Sequence, residues 1–455
     1  LTQSTRIEVA QRGRRALISP AQFPRSVGEL EMALRSGWDF ATQLGIPIGD
    51  QLHFYELLRR LLCACDARRF GEFENESWWR FSGAQQRSPG YRRYLADGLT
   101  RTLVAARARE MSARTGGYIL LQLLQDMVRP GAQVDRVLNA PTNQAWIDPW
   151  LSHLRSLGVD YRLGHRVETI HSRGDEVTGV SGHTVSWPSQ ALGSQFADRA
   201  KYYVAAVPVE VMQKQIKIAL KRRVPELGKL DKLVYRWMNG IVFYLTEDVP
   251  LVHGHTIIID SPWALTAISQ RQFWPQVDFS RFAGGKVQGI LSVDISDWEA
   301  NGSYAAKGKP AKACSKHEIA AEVWAQLKAS LNDDEEVLRD DMRFDWFLDP
   351  DIVQPNPSTH TNLEPLLVNT KGSWRYRPEA AMPEVPNLFL AADYVRTYTD
   401  LATMEGANEA GRRAVNAILK ATGSDAELCR LWKLREPGGP FTLARLADQL
   451  VYRVT

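Results

Sequence analysis

The sequence is poor in the features that place a chain at once. It holds four cysteines in 455 residues, too few for a disulfide framework. Cys63 and Cys65 stand one residue apart, neither a C-x-x-C nor a zinc-knuckle spacing, and Cys314 and Cys429 are isolated. Ordinary thiols in a reducing compartment are expected, and with them a cytoplasmic location. No run reaches the roughly 18 apolar residues of a spanning helix, and no signal-peptide pattern is visible. A net charge of +4 is small for this length and makes no case for a nucleic-acid partner. There is no G-x-S-x-G and no Ser-His-Asp or Cys-His arrangement, which sets hydrolase chemistry aside. No G-x-G occurs anywhere, so no strand–G-x-G-x-x-G–helix is present to seat a dinucleotide pyrophosphate. The glycine pairs Gly116–Gly117, Gly284–Gly285 and Gly438–Gly439 lack a strand before and a helix after.

What is there reads as an ordinary globular protein, 44% hydrophobic and 24% charged, long enough for two or more domains. Fourteen tryptophans point to broad aromatic-lined pockets or interfaces. Residues 1–135 are expected as a mainly helical unit, from LEMALRSGWDFATQL and FYELLRRLLCACDARRF to ILLQLLQDMV. LNAPTNQAWIDPWLSHLRSLGV gives a short helix closing at Gly158. Residues 136–207 follow, with strands DYRLGHRVETIHSR and EVTGVSGHTVSW joined at Gly174–Asp175, and a buried strand in KYYVAAVP. Residues 208–345 mix a basic helix, KQIKIALKRR, with the strands NGIVFYL, TIIIDS, ALTAISQ and VQGILSVDIS. They close on the amphipathic HEIAAEVWAQLKASL. Residues 346–422 return to strand–loop–helix, and 423–455 read as a charged tail. The order predicts interleaved domains, a substrate domain inserted into a nucleotide-binding one.

The informative stretch is NLFLAADYVRTYTDLATMEGANEAGRRAVNAIL, Asn387 to Leu419. An apolar strand ends at Asp393, at the carboxyl end where α/β sheets bind ligands. A loop then leads into a helix whose start is rich in small residues, Gly406 and Ala407, then Ala410 and Gly411. Small residues let a flat ligand or a strand approach the backbone closely. The helix N-terminus offers free N–H groups and partial positive charge, and Asp393 can accept hydrogen bonds from a polyol. Together these suit a flavin.

The segment resembles the C-terminal flavin-binding signature of the amine oxidase superfamily. It is especially similar to the phytoene and ζ-carotene desaturases, with Ala392-Asp393-Tyr394 followed by Thr403-Met404-Glu405-Gly406-Ala407. Ala392 stands where that family usually has glycine. The resemblance implies an FAD cofactor in a glutathione-reductase-like α/β domain interleaved with a helical and mixed-sheet substrate domain. It implies Asp393 on the ribityl chain and the backbone of Thr403 to Ala407 on the isoalloxazine. HLRSLGVDYRLGHRVETI matches the family's adenine-contacting Val-x-x-Ile strand, here Val167 and Ile170. Because the family normally opens with G-x-G-x-x-G, an N-terminal segment of about 30 residues or more is expected upstream of Leu1.

Other residues were weighed on their chemistry. Trp374 and Tyr398 are candidates for an aromatic pair facing the flavin, and Trp263 for a pocket-lining strand residue. SWRYRP, Ser373 to Pro378, reads either as a flavin cover or as a surface turn with solvated arginines. His253 and His255 with the distant Asp260 lack a convergent third ligand, so no metal is expected. Asp294 and Asp349 read as structural hydrogen-bonding groups. The basic KQIKIALKRRVPELGKLDK could rest on an anionic membrane surface, though a solvated helix face fits it better. The expected activity is removal of hydride from a carbon of a small lipophilic substrate, isoprenoid-like or acyl. Alternatives are a flavin amine oxidase, a redox-neutral flavin isomerase and a non-catalytic scaffold. Nothing in the sequence sets an oligomeric state.

Overall fold

A computed structural model describes residues 2–3, 6–11, 14–20, 41–42, 44–98, 100–101, 106–127, 136–186, 191–332, 335–356 and 359–454. Most of LEMALRSGWDFATQL lies outside them. Three large apolar cores organise these residues, one under an antiparallel sheet, one around a short parallel pair and one in a helical block.

The seven-stranded sheet runs Arg343–Leu348, Asn239–Leu245, Gly289–Ile295, Leu265–Ser269, Thr256–Ile258, Arg6–Gln11 and Arg14–Pro20. Arg6–Gln11 and Arg14–Pro20, expected in a helical unit, therefore form an antiparallel pair within this sheet, and Arg6–Gln11 also pairs parallel to Thr256–Ile258. Alternation along Asn239–Leu245 turns Ile241, Phe243 and Leu245 inward, as a one-sided sheet requires. The Lys316–Leu331 helix covers that face. Its capping box joins Ser315 and Glu318, and Ile319, Val323 and Leu327 are fully buried. Each such side chain contributes roughly 1.5–3 kcal/mol by leaving water.

In the helical block, FYELLRRLLCACDARRF does not form one helix. Ile48–Cys63 stops, Ala64 and Cys65 are extended, and Asp66–Gly71 starts anew with the Cys65 sulfur accepting from the Arg68 N–H at 3.4 Å. The cause is tertiary. Asp448, from a Pro440–Val454 helix, accepts from the Cys65 N–H at 2.8 Å and from Arg68 Nε at 2.9 Å. The expected charged tail is thus a docked element. Its Tyr452 hydroxyl would lie 2.1 Å from a Cβ at Gly71, so a side chain there would displace it.

The second half of the fold follows the sequence closely. His165–Arg173, Glu176–Ser186 and Ala191–Asp198 form a three-stranded sheet, with Gly174 at φ +63 in its first turn. Gly158, at φ +81, closes the Asp148–Ser156 helix. Tyr203–Ala205 and Leu388–Leu390 pair in parallel, and the Met404–Thr422 helix packs Ala410 and Ala414 into the same core. Val204 is half exposed, where a fully buried strand was expected. The basic segment breaks into Val209–Gln215, Ile218–Arg223 and Pro225–Lys229. Its Leu220, Val224, Leu227 and Leu230 are buried in the core. That apolar face is therefore occupied, and Ile218 is the one large apolar side chain of the described segment left exposed. Among the described residues no helix is long and apolar enough to cross a membrane.

Candidate flavin site

Both parallel strands deliver a carboxylate at their carboxyl ends. Leu388–Leu390 leads to Asp393, and Tyr203–Ala205 leads through Pro208 to Glu210, in the first turn of the next helix. Burial raises the pKa of Asp393, against the lowering pull of Arg377. Burial likewise raises Glu210, and the neighbouring charge of Asp393 pushes it further the same way. Glu210 is nearly inaccessible, and its Oε1 is buried without a hydrogen-bond partner. An orphaned acceptor beside a second carboxylate, outside the ends of adjacent parallel strands, is suited to ligand hydroxyls. Sequence reasoning missed Glu210. Its signal was a position just past the end of the second strand, legible only once the two strands were known to be neighbours.

The Met404–Thr422 helix begins as the motif implied. Thr403 caps it, its hydroxyl accepting from the Gly406 N–H at 3.1 Å, and the Ala407 N–H closes on the Thr403 carbonyl at 2.9 Å. The N–H groups of Met404 and Glu405 are the helix-end donors left over. Met404, Glu405 and Ala407 are exposed while Gly406 is buried. A Cβ at Gly406 would lie 2.5 Å from the Leu401 carbonyl oxygen, so the tight entry into this helix requires glycine. An open, capped helix start together with the two carboxylates fits the ribityl and pyrimidine parts of a flavin.

No pyrophosphate cradle accompanies it in these residues. Gly116 and Gly117 lie within the Ala113–Met127 helix, where a Cβ on Gly117 would meet a Leu61 methyl at 2.4 Å. Their smallness serves helix packing. Val167 sits on the His165–Arg173 strand opposite Gly182, and its carbonyl accepts from Gln215 Nε2 at 2.6 Å. Ile170 is buried and bridges to Ile216. The strand is thereby tied to the helix that carries Glu210.

The loop between Asp393 and Thr403 is held by a buried ion network. Arg377 donates from Nη1 to the Asp393 carbonyl at 2.7 Å and from Nη2 to Asn369 Oδ1 at 3.0 Å. Its Nε lies 3.1 Å from Asp400 Oδ1 in an orientation that makes no hydrogen bond. Asp400, at φ +45, also receives Arg114 and the Thr115 hydroxyl on Oδ2. Arg114 Nε donates to Glu74 Oε2 at 2.9 Å, and Glu74 also accepts from the Ser112 hydroxyl and the Trp374 N–H. All four charged side chains are nearly inaccessible. Burial works against the Arg114 charge, but Asp400 and Glu74 outweigh it and hold its pKa above the usual arginine value. The SWRYRP segment therefore divides: Arg377 is buried in this network and Arg375 is exposed.

Trp374 and Tyr398 line one cavity of about 580 Å³. Its walls come from the Asp66–Gly71 and Ala113–Met127 helices, the Ser373–Tyr376 turn and the C-terminal tail. Asp393 and residues 403–407 are not among its lining residues. Trp263 is not there either. It is fully buried in the core under the seven-stranded sheet, its indole N–H donating to the Ala300 carbonyl at 2.9 Å, so the pocket role expected for it is corrected to a packing one. His253 packs on Phe273 at 4.4 Å, Asp260 accepts from Ser330, and Asp349 accepts from Asn239. Burial raises Asp294, with His255 opposing. Among the described residues no three ligating side chains converge on a metal position.

Known proteins share this fold. A putrescine oxidase bound to putrescine is similar in structure at TM-score 0.58 and 12% identity, over 92% of this chain and 82% of that one. Cyclohexylamine oxidase from Brevibacterium oxydans IH-35A follows at TM-score 0.52 and 13% identity, over 93% and 81%. At such identity the likeness is one of fold, here the α/β flavin-binding fold. No curated protein matches the chain in sequence. The profile of the flavin containing amine oxidoreductases, however, spans residues 4–419, and the chain belongs to that family of FAD-dependent oxidoreductases.

Proposed function

We propose that this FAD-dependent oxidoreductase removes hydride from a carbon of a substrate with an apolar body, acyl or isoprenoid-like, bound in the cavity lined by Trp374 and Tyr398. The observation that carries this reading is the character of that lining. Aromatic faces offer an apolar body contact area, while cationic side chains outnumber acidic ones six to three. Putrescine and cyclohexylamine, which appear in the names of the two similar oxidases, are ammonium ions in neutral water. Four of the six cations are paired with carboxylates, and an ammonium group would meet repulsion from the remaining two, Arg396 and Lys433, which favours the apolar reading over amine oxidation.

When bound, the flavin supplies the hydride acceptor. The chain's own residues bind and orient. Asp393 and Glu210 accept hydrogen bonds from the polyol, and the Met404 and Glu405 N–H groups favour electron density at the pyrimidine edge. Thr403 and Gly406 set the direction of that helix start. Arg377 and Asp400 fix the loop that joins it to Asp393. Val167 carries the adenine side of the site through its strand. Trp374 and Tyr398 exclude water from the substrate's body.

The test is anaerobic bleaching of the flavin absorption band by panels of acyl, isoprenoid and amine compounds. Bleaching by an acyl or isoprenoid compound and none by putrescine or cyclohexylamine is expected. Bleaching by the amines alone overturns the substrate class, and protein that holds no flavin under any condition favours the scaffold reading. Asp393→Ala is expected to weaken FAD retention about tenfold, read by flavin fluorescence. Unchanged occupancy removes Asp393 from the site.

A further inference from the structure

Two cations in the cavity stand out for what they lack. Arg69 and Arg445 share Glu436, Arg114 is held by Glu74 and Asp400, and Arg413 pairs with Glu409 at 2.7 Å. Arg396 is different. Its Nε is buried with no hydrogen-bond partner, and among the described residues its only ion-pair carboxylate, the exposed Glu379, lies 3.5 Å from Nη1. Lys433 has no ion-pair partner among the described residues, and its ammonium lies 6.0 Å from the centre of the Tyr398 ring. The Arg396 guanidinium lies 5.6 Å from the centre of Trp374. Each under-compensated cation thus sits beside one of the two aromatic rings.

A buried guanidinium N–H without an acceptor is a donor waiting for one. This donor and the exposed, unpaired ammonium of Lys433, each beside an aromatic face in a cavity within the usual size range of small-molecule sites, describe a ligand with two parts. One part is an oxyanion and the other an apolar body laid on the rings. We infer that the ligand of this cavity carries an anionic head group, a carboxylate or a phosphate, taken by Arg396 and Lys433, with its apolar body on Trp374 and Tyr398. If the cavity is the substrate site proposed above, on which this inference leans for its place in catalysis, the substrate is a lipophilic acid or a phosphate monoester. A protonated amine is excluded by the same two cations, and a head group of either oxyanion type satisfies them.

The experiment holds the body constant and varies the head. Dodecanoate, dodecyl phosphate, dodecan-1-ol and dodecylammonium are titrated below their micellar concentrations into the flavin-loaded protein by calorimetry. One or both anions are expected to bind about tenfold or more tightly than the alcohol and the ammonium, and which anion leads identifies the head group. In Arg396→Met/Lys433→Met that preference is expected to vanish while the alcohol binds as before, with the melting temperature as the check on folding. Equal binding of anion and ammonium, or a preference that survives the double substitution, overturns the inference. The flavin absorption spectrum is recorded in the same titrations. Anion binding that leaves the flavin bands unshifted supports the anion site and overturns only its assignment as the substrate pocket.

Discussion

Arg114 is the side chain whose loss the structure predicts most sharply. It joins Glu74, in the helical block, to Asp400, in the loop that leads into the Met404–Thr422 helix. With Arg377 on the other side of Asp400, the network balances two acids against two bases. Arg114→Met keeps an unbranched apolar stem but removes the guanidinium from over Phe70 and Trp374, and it leaves two carboxylates with one guanidinium out of water. Breaking a buried pair in this way costs about 3–5 kcal/mol. Over a unit of ordinary domain size that is a fall in melting temperature of about 6 °C or more, read by tryptophan emission. Asp400→Asn removes a charge of the other sign. Asn tolerates the left-handed backbone at that position, so its effect is electrostatic. Combining the two substitutions restores neutrality, and the double variant is expected to be about 1–3 kcal/mol more stable than the sum of the singles. Flavin release on heating is expected to move with the single variants, since the Asp400 loop connects Asp393 to Thr403. An Arg114→Met protein within about 1 kcal/mol of the parent, or a strictly additive double variant, refutes the coupling.

Three further outcomes are expected. Gly406→Ala forces a Cβ to 2.5 Å from the Leu401 carbonyl and is expected to destabilise by about 1–3 kcal/mol with loss of flavin. Gly411→Ala, with nothing within 4 Å of its Cβ in the same helix, is expected to stabilise by about 0.4–1 kcal/mol, and melting curves that rank the two the other way refute the packing argument. Asp393 and Glu210 have raised pKa values, burial being the first cause in each. Between the ordinary carboxylate value and the raised one, the folded chain holds protons that the unfolded chain has released. Their contribution to stability therefore falls as pH rises through that window. Asp393→Asn is expected to flatten the decline of melting temperature with pH relative to the parent, and parallel pH profiles would sink this. Asp448→Ala is expected to release the C-terminal helix, read as faster proteolysis within residues 440–454 and quantified against the parent; equal cleavage rates count against docking through Cys65 and Arg68.

The Met404–Thr422 helix was legible because its signals are local. An apolar run followed by aspartate and a helix start rich in small residues each act within a few residues, and the structure has the Leu388–Leu390 strand three residues before Asp393 and a helix from Met404. The amphipathic Lys316–Leu331 helix and the Gly174 hairpin were readable for the same reason, through periodicity and turn chemistry. The tertiary structure alone decided where local preference was overruled by a distant partner. Asp448 breaks the Cys63–Asp66 helix from nearly four hundred residues away, and Thr256–Ile258 recruits Arg6–Gln11 into a sheet. Glu210 and Asp393 become neighbours only because two strands far apart in sequence pair in parallel. Arg377 and Trp374, three positions apart, part company on opposite sides of one network, the first buried with Asp400 and the second lining a cavity with Tyr398. A short segment specifies its own hydrogen bonds, but the burial of a charge depends on what the rest of the chain brings to it.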